Sequence, residues 1–384
     1  MSDNAPLVII GTGLAGYNLA KEFRKLDAER PLMLISADDG RFYSKPLLST
    51  GFAKGKEADE LAMQDAEAMA EQLGAQVLTG QQVTAIDTRE RLVRLGDRSL
   101  PYSDLVLATG AQVRTLPWRE ALGERLLSIN DLADYGRFRA ALKGRRSVLI
   151  VGAGLIGCEF ANDLRLGGFE VTVVASDPWL MPQLLPEQAA AAVQAGLEEL
   201  GVEFHLGCAI ENMVLEGDGL RVRLDSGVEL VADQGLSAIG LVPRSELAEA
   251  AGLSAGRGVQ VDRQLRTSDP HVYALGDCAE VAGLNLMYVM PLMTSARALA
   301  KTLSGTPTEL SYPAMPIMVK PPACPLVVTP PLSGVAGSWQ CDAEGRDVRA
   351  RFVDANGQLH GFALTGAAVA EKLQLTRELP AWLG

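Results

Sequence analysis

"PLVIIGTGLAGYNLAKEF" (residues 6–23) and "RSVLIVGAGLIGCEFANDL" (residues 146–164) carry one pattern twice: an apolar strand, GxGxxG, then apolar residues at helical spacing. A single GxGxxG can be a purely structural turn, but two copies in matching context imply two nucleotide-binding units. In the first, Gly11 permits the tight turn, Gly13 lets the backbone approach a pyrophosphate, and Gly16 lets helix and strand sit close. Gly152, Gly154 and Gly157 repeat those roles, and Leu14, Ala15, Leu155 and Ile156 open the two helices, whose free N–H groups and positive dipole ends suit phosphate. Each copy is followed by another apolar run, "PLMLISADD" (31–39) and "FEVTVVASDP" (169–178), at the distance of the second strand of a βαβ unit. Buried parallel sheets are therefore expected.

An acid closing that second strand ordinarily holds a ribose hydroxyl. Asp38 stands at the right distance, with Asp39 as a competitor; the second unit has Ala175 there, followed by Ser176 and Asp177. No Lys or Arg occurs between Val174 and Leu220, so a ribose 2′-phosphate would lack the basic partner it needs.

"LVLATGAQV" (105–113) is a further strand, ending at Thr109 and Gly110, and "GLSAIGLVP" (235–243) resembles it, which extends the duplication. "TSDPHVYALGDCAEV" (267–281) reads as a strand ending at Gly276 and Asp277, before a helix whose start Pro291 marks. After Pro313 the texture changes to short apolar runs between Pro and Gly clusters, then a helical stretch from Ala367. The expected division is a discontinuous first domain (1–112 and 240–313), a second (113–239) and a C-terminal α+β domain (314–384).

Composition narrows the chemistry. The 384 residues are 48% hydrophobic, enough for a sizeable core in two or three domains. Residues 1–13 lack the features of a signal peptide and no apolar run is long enough for a membrane span, so the cytoplasm is the expected location. A formal net charge of -12 opposes nonspecific binding to nucleic acid or anionic lipid. Five scattered cysteines form no CxxC pair and the three histidines lie far apart, so neither a disulfide framework nor a metal site is expected.

The ordered set GTGLAG, ATG, GAGLIGCE, GLVP and "YALGDCAE" resembles, over essentially the whole chain, the FAD- and NAD(P)-linked two-dinucleotide-binding reductases related to glutathione reductase. Within them, "YSKPLLSTGF" (43–52), "GLIGCEFANDL" and "VKPPACPLVV" resemble the bacterial rubredoxin-NAD(+) reductases. The resemblance implies an α/β fold: two Rossmann-like dinucleotide-binding domains, for FAD and NAD, of the glutathione-reductase type, plus a C-terminal α+β domain. It implies that the first cradle holds the FAD pyrophosphate and that Asp277 accepts from the ribityl chain or pyrophosphate region, which suits an acceptor-only carboxylate. It places Glu159 at the nicotinamide end of NADH, with Gly240 shaping that slot, and Lys45, Pro46 and Lys320 near the flavin. The helix from about Pro291 would aim its N-terminus at the flavin's pyrimidine edge. NADH is expected over NADPH. Glu159 and Lys320 are the expected catalytic residues.

Relatives that reduce disulfides need a thiol pair after the first cradle, and this chain has no cysteine before Cys158. Peroxidases and oxidases of similar sequence carry one Cys in an "LSCG"-like setting where Thr50 stands, and a threonine hydroxyl forms no sulfenic acid. Ferredoxin reductases of the oxygenase type carry Lys there. The remaining exit is from flavin directly to a one-electron carrier. The resemblance supplies rubredoxin, in service of alkane hydroxylation or oxidative-stress defence; flavorubredoxin, ferredoxin, or a redox-sensing role with little turnover are the alternatives. Rubredoxins are generally acidic, as is this chain, so local patches such as Lys143, Arg145 and Arg146 or the apolar third domain must outweigh the repulsion, and a small, transient, largely apolar docking site near the flavin edge is expected. A monomer or weak dimer is expected.

Overall fold

The computed structural model describes residues 5–319 and 323–384. Leu7–Ile10, whose four side chains are all buried, is the central strand of a five-stranded parallel sheet. Asp104–Leu107 and then Val272–Ala274 lie to one side of it, Leu32–Ile35 and Gln76–Leu78 to the other. The second sheet repeats this: Ser147–Val151 is central, between Gln234–Ser237 and Glu170–Ala175, with Leu126–Leu127 and Val202–Leu206 at the edges, again all parallel. Apolar runs without alternation become strands buried on both faces because helices cover both sides of such sheets. The chain leaves the first sheet through Ala111–Val113 and returns through Leu241–Pro243, and these two crossing strands pair antiparallel.

A third sheet, five-stranded and antiparallel, has the order Ile317–Val319, Leu326–Thr329, Leu359–Thr365, Asp347–Val353, Ser338–Glu344. Its Leu326, Val328 and Ala363 share one core with Val148, Ile150 and Val173 of the second sheet. Close approach of Gly196, on the helix Glu187–Glu199, seals this joint; a Cβ there would sit 2.6 Å from the Ala323 carbonyl oxygen. Leu48, Phe52 and Leu61 also join this core, so part of the first unit's sequence packs on the second unit's sheet.

Two expected helices differ in detail. The helix expected from Pro291 runs Val289–Leu303, with Pro291 inside its first turn, where no intrahelical partner is lost because the leading N–H groups have none. The stretch from Ala367 is a 3-10 turn, Gly366–Glu371, before an α-helix, Lys372–Glu378. The turn is tied at both ends to the neighbouring strand: Ala367 N donates to Asp347 Oδ1 (2.8 Å) and Arg349 Nε to Glu371 Oε1 (2.5 Å).

Candidate functional site

The two cradles match atom for atom in what they forbid. Gly11 and Gly152 have φ of +113° and +111°, and a Cβ on them would meet the carbonyl oxygens of Ala108 and Ala238 at 2.2 and 2.6 Å. On Gly16 and Gly157 it would meet the carbonyl oxygens of Gly11 and Gly152 at 1.9 and 2.0 Å, so each helix rests against its own turn. Gly13 and Gly154, which cap the helices Leu14–Arg24 and Leu155–Leu166, would meet nothing within 4 Å. Neither helix has a side-chain cap or an acidic residue in its first turn. Both ends thus offer uncapped N–H donors and positive partial charge to open space.

That space is one cleft of about 1780 Å³, beyond the ~300–1,000 Å³ of an ordinary small-molecule pocket and suited to two extended dinucleotides. Gly11, Gly13, Leu14 and Ala15 line one arm and Gly152, Gly154, Leu155 and Ile156 the other. Gly16, Gly157 and Gly276 stand behind the lining rather than on it; a Cβ on Gly276 would lie 2.8 Å from that of Ala15, so its role is helix packing.

Asp38 and Asp39 differ in side-chain direction. Asp38 lines the cleft and accepts from Gly40 N (2.9 Å) and Ser36 Oγ, whereas Asp39 turns away to pair with Arg41 (2.7 Å). In the other arm Ala175, Ser176 and Asp177 line the corresponding end.

Between the arms, Thr109, Gly110 and Gly240 sit where the two crossovers meet. Thr109 Oγ1 donates to the Arg244 carbonyl (3.0 Å), Arg244 N to that of Gly110 (3.0 Å), and Arg114 N to that of Gly240 (3.0 Å). Lys45, Pro46, Asp277 and Pro291 line the same region, as does the start of the helix Val289–Leu303. Lys45 Nζ donates to Asn130 Oδ1 (2.7 Å), whose own amide donates to the Ala111 carbonyl (2.9 Å). Burial pushes the Lys45 ammonium pKa down, with Asp277 opposing the shift, and pushes the Asp277 carboxyl up, with Lys45 opposing it. The two charges support one another in a desolvated place. Lys320 lies outside the described residues.

Glu159, 4% exposed, lines the cleft near the start of the helix Leu155–Leu166 and accepts from Ser49 Oγ at 2.6 Å. Thr50, the position weighed in sequence, is off the lining; its hydroxyl closes the local turn on the Leu47 carbonyl (2.9 Å). All five cysteines are free thiols. Burial pushes the Cys158 thiol up to about 12 and raises that of Cys278. Cys208 is the one thiol on the lining, beside Ala175 at the outer end of the second arm.

Sequence reading missed Ser49, Asn130 and Asp163. Asp163, 1% exposed, accepts from Phe52 N (3.0 Å) and Ala53 N (2.9 Å). Each bonds a residue far away in the chain, so no local spacing marks it. Of the basic cluster, Arg145 is engaged by Asp218 (2.7 Å), and Lys143, Arg145 and Arg146 are all absent from the lining.

The residues present fit two dinucleotides: paired cradles that exclude any Cβ except where the lining is open, a cleft of matching size, and an acceptor carboxylate at an arm's end. A family model described as pyridine nucleotide-disulphide oxidoreductase matches residues 5–300, and one described as rubredoxin binding C-terminal domain matches residues 309–379. The chain is 55% identical over 379 residues to a rubredoxin-NAD(+) reductase of Alcanivorax borkumensis, spanning 98% of this chain and 99% of that one. It is 39% identical over 379 residues to a nitric oxide reductase FlRd-NAD(+) reductase of Vibrio vulnificus, spanning 99% and 98%. A solved ferredoxin reductase for the CYP199A2 system from Rhodopseudomonas palustris matches with a TM-score of 0.88 at 26% identity, covering 98% of this chain and 95% of that one. Two equivalent cradles facing one cleft, and a family model spanning both, place the chain in the pyridine nucleotide-disulphide oxidoreductase family.

Proposed function

We propose that the protein is an NADH-dependent flavoprotein reductase that delivers electrons singly to rubredoxin. The observation that carries this is the single cleft joining two equivalent dinucleotide cradles, with the buried Glu159 on its wall and no thiol pair beside it. When bound, FAD supplies the conversion of a two-electron hydride donor into one-electron deliveries. The chain's own residues bind and orient. Gly11, Gly13, Leu14 and Ala15 present backbone donors to one pyrophosphate, and Gly152, Gly154, Leu155 and Ile156 present them to the other. Asp38 takes a ribose hydroxyl, and Asp277, kept beside Lys45, accepts from the sugar chain of FAD. The N-terminus of Val289–Leu303 favours negative charge at the flavin. Glu159 acts at the nicotinamide end, where catalysis is mostly positioning.

The corresponding division is FAD-binding for 1–112 and 240–313, NAD-binding for 113–239 and carrier docking for 314–384, in line with the rubredoxin-binding match. An apolar encounter is supported by Val289, Met290 and Met318, which line the cleft and are 40%, 53% and 63% exposed. Such a contact suits an acidic carrier meeting an acidic protein. The process served is proposed to be alkane hydroxylation or oxidative-stress defence. The Vibrio relative favours a second reading, delivery to flavorubredoxin.

The test is anaerobic reduction of the FAD-loaded protein by NADH, followed by rapid mixing with oxidised rubredoxin or flavorubredoxin while both chromophores are watched. Fast reoxidation by rubredoxin is expected; reoxidation only by flavorubredoxin would establish the second reading, and by neither would refute both.

A further inference from the structure

Ser49 and Thr50 are adjacent hydroxyls in one 3-10 segment, Lys45–Thr50, and they point to different tasks. Thr50 bonds within its own turn. Ser49, 6% exposed, lies 2.6 Å from Glu159 Oε2 and 3.3 Å from the Pro46 carbonyl; its single proton goes to the nearer, charged acceptor. Both Ser49 and Glu159 line the cleft, on opposite sides of the boundary between the first and second units.

One turn further along the same helix, Asp163 accepts the N–H groups of Phe52 and Ala53. Residues at i and i+4 share a helix face. That face is therefore stitched to residues 49–53 at two levels, by backbone donors at Asp163 and by a side-chain donor at Glu159. The Asp163 level has no place on the cleft lining, so it holds the segment; the Ser49 level is at the surface a ligand would touch. A carboxylate on a flexible side chain is oriented by such a donor.

We propose that Ser49 is a positioning residue that holds the Glu159 carboxylate in place for the nicotinamide end of the bound dinucleotide, a role that rests on the reading of Glu159 given above. The test is calorimetric titration of the FAD-loaded protein with NAD+ and with ADP-ribose, which lacks the nicotinamide. Loss of a charge-assisted hydrogen bond predicts that Ser49→Ala weakens NAD+ binding roughly 5- to 20-fold and leaves ADP-ribose within about 2-fold. In a Glu159→Ala background the further effect of Ser49→Ala on NAD+ should vanish, because the coupling runs through the carboxylate.

Unchanged flavin absorbance and ADP-ribose affinity show that Ser49→Ala is folded. Equal weakening of both ligands would overturn the proposal, since Ser49 would then serve packing of the cradle. So would full NAD+ affinity in Ser49→Ala while Glu159→Ala is impaired, an outcome that leaves the reductase reading intact. If Glu159→Ala is also without effect, the assigned role of Glu159 fails together with that of Ser49.

Discussion

Gly154 and Gly157 are three residues apart in one motif, yet the structure predicts opposite consequences for the same added methyl group. Gly154 has φ of -74° and ψ of -176°, extended backbone open to any residue, and its Cβ would meet nothing within 4 Å. Gly154→Ala should leave the FAD-free protein as stable as the parent or better by about 0.4–1 kcal/mol, through reduced freedom of the unfolded chain. The methyl nevertheless fills the approach to the helix N-terminus, so a pyrophosphate must retreat and lose one or two charge-assisted hydrogen bonds. At about 1.5–3 kcal/mol each, NADH should bind roughly 10- to 100-fold more weakly or worse. Gly157→Ala places its Cβ 2.0 Å from the Gly152 carbonyl oxygen, against backbone that cannot swing aside. The helix must move outward, at about 1–3 kcal/mol or more, and stability and NADH binding should fall together. Urea unfolding of the FAD-free variants gives the first quantity and rapid-mixing flavin reduction over an NADH series gives the second. Undiminished NADH affinity in Gly154→Ala, or destabilisation equal to that of Gly157→Ala, would refute the assignment of an open phosphate cradle.

The thiol chemistry and the buried charge pair are testable as directly. An aromatic disulfide reagent at pH 8 should label Cys208 and Cys341 in the native protein and spare the buried Cys158 and Cys278, and Cys158→Ala should retain electron delivery; its loss would mean that a thiol takes part. Burial raises the Asp277 carboxyl pKa in the folded state, so between its unfolded and folded values the folded protein holds more protons. Stability of the FAD-free protein should therefore fall as pH rises through that window, and Asp277→Asn should remove that part of the slope. Parallel urea midpoints for parent and variant from pH 4 to 7 would refute this.

Much of the site was legible because it is local. GxGxxG needs no distant partner to be read: the steric demands on Gly11, Gly16, Gly152 and Gly157 come from a turn and helix within a few residues, plus one neighbouring strand. Glu159 came from the family resemblance at a position two residues past the third glycine, and the structure puts it on the cleft wall. Legibility failed where contact crosses long stretches of chain. Asp39 competes with Asp38 in sequence, and only the folded turn after Leu32–Ile35 shows Asp38 on the cleft lining and Asp39 paired with Arg41. Thr50 marks the missing thiol in sequence, but sequence does not show that within Lys45–Thr50 it is Ser49 that reaches the cleft wall at Glu159, while Thr50 donates back to the Leu47 carbonyl.

By itself, then, the sequence determined the repeated strand, turn and helix, the parallel sheets, and the lack of a thiol pair after the first cradle. Each follows from residue type at short spacing, where backbone sterics and hydrophobic period decide the outcome. The tertiary structure alone decided that both cradles open into one cleft, that residues 48–61 of the first unit pack on the core of the second, and that Lys45 meets Asn130 while Ser49 meets Glu159. Those pairings join residues 85 and 110 positions apart, and they exist because buried polar groups must find partners wherever packing brings them.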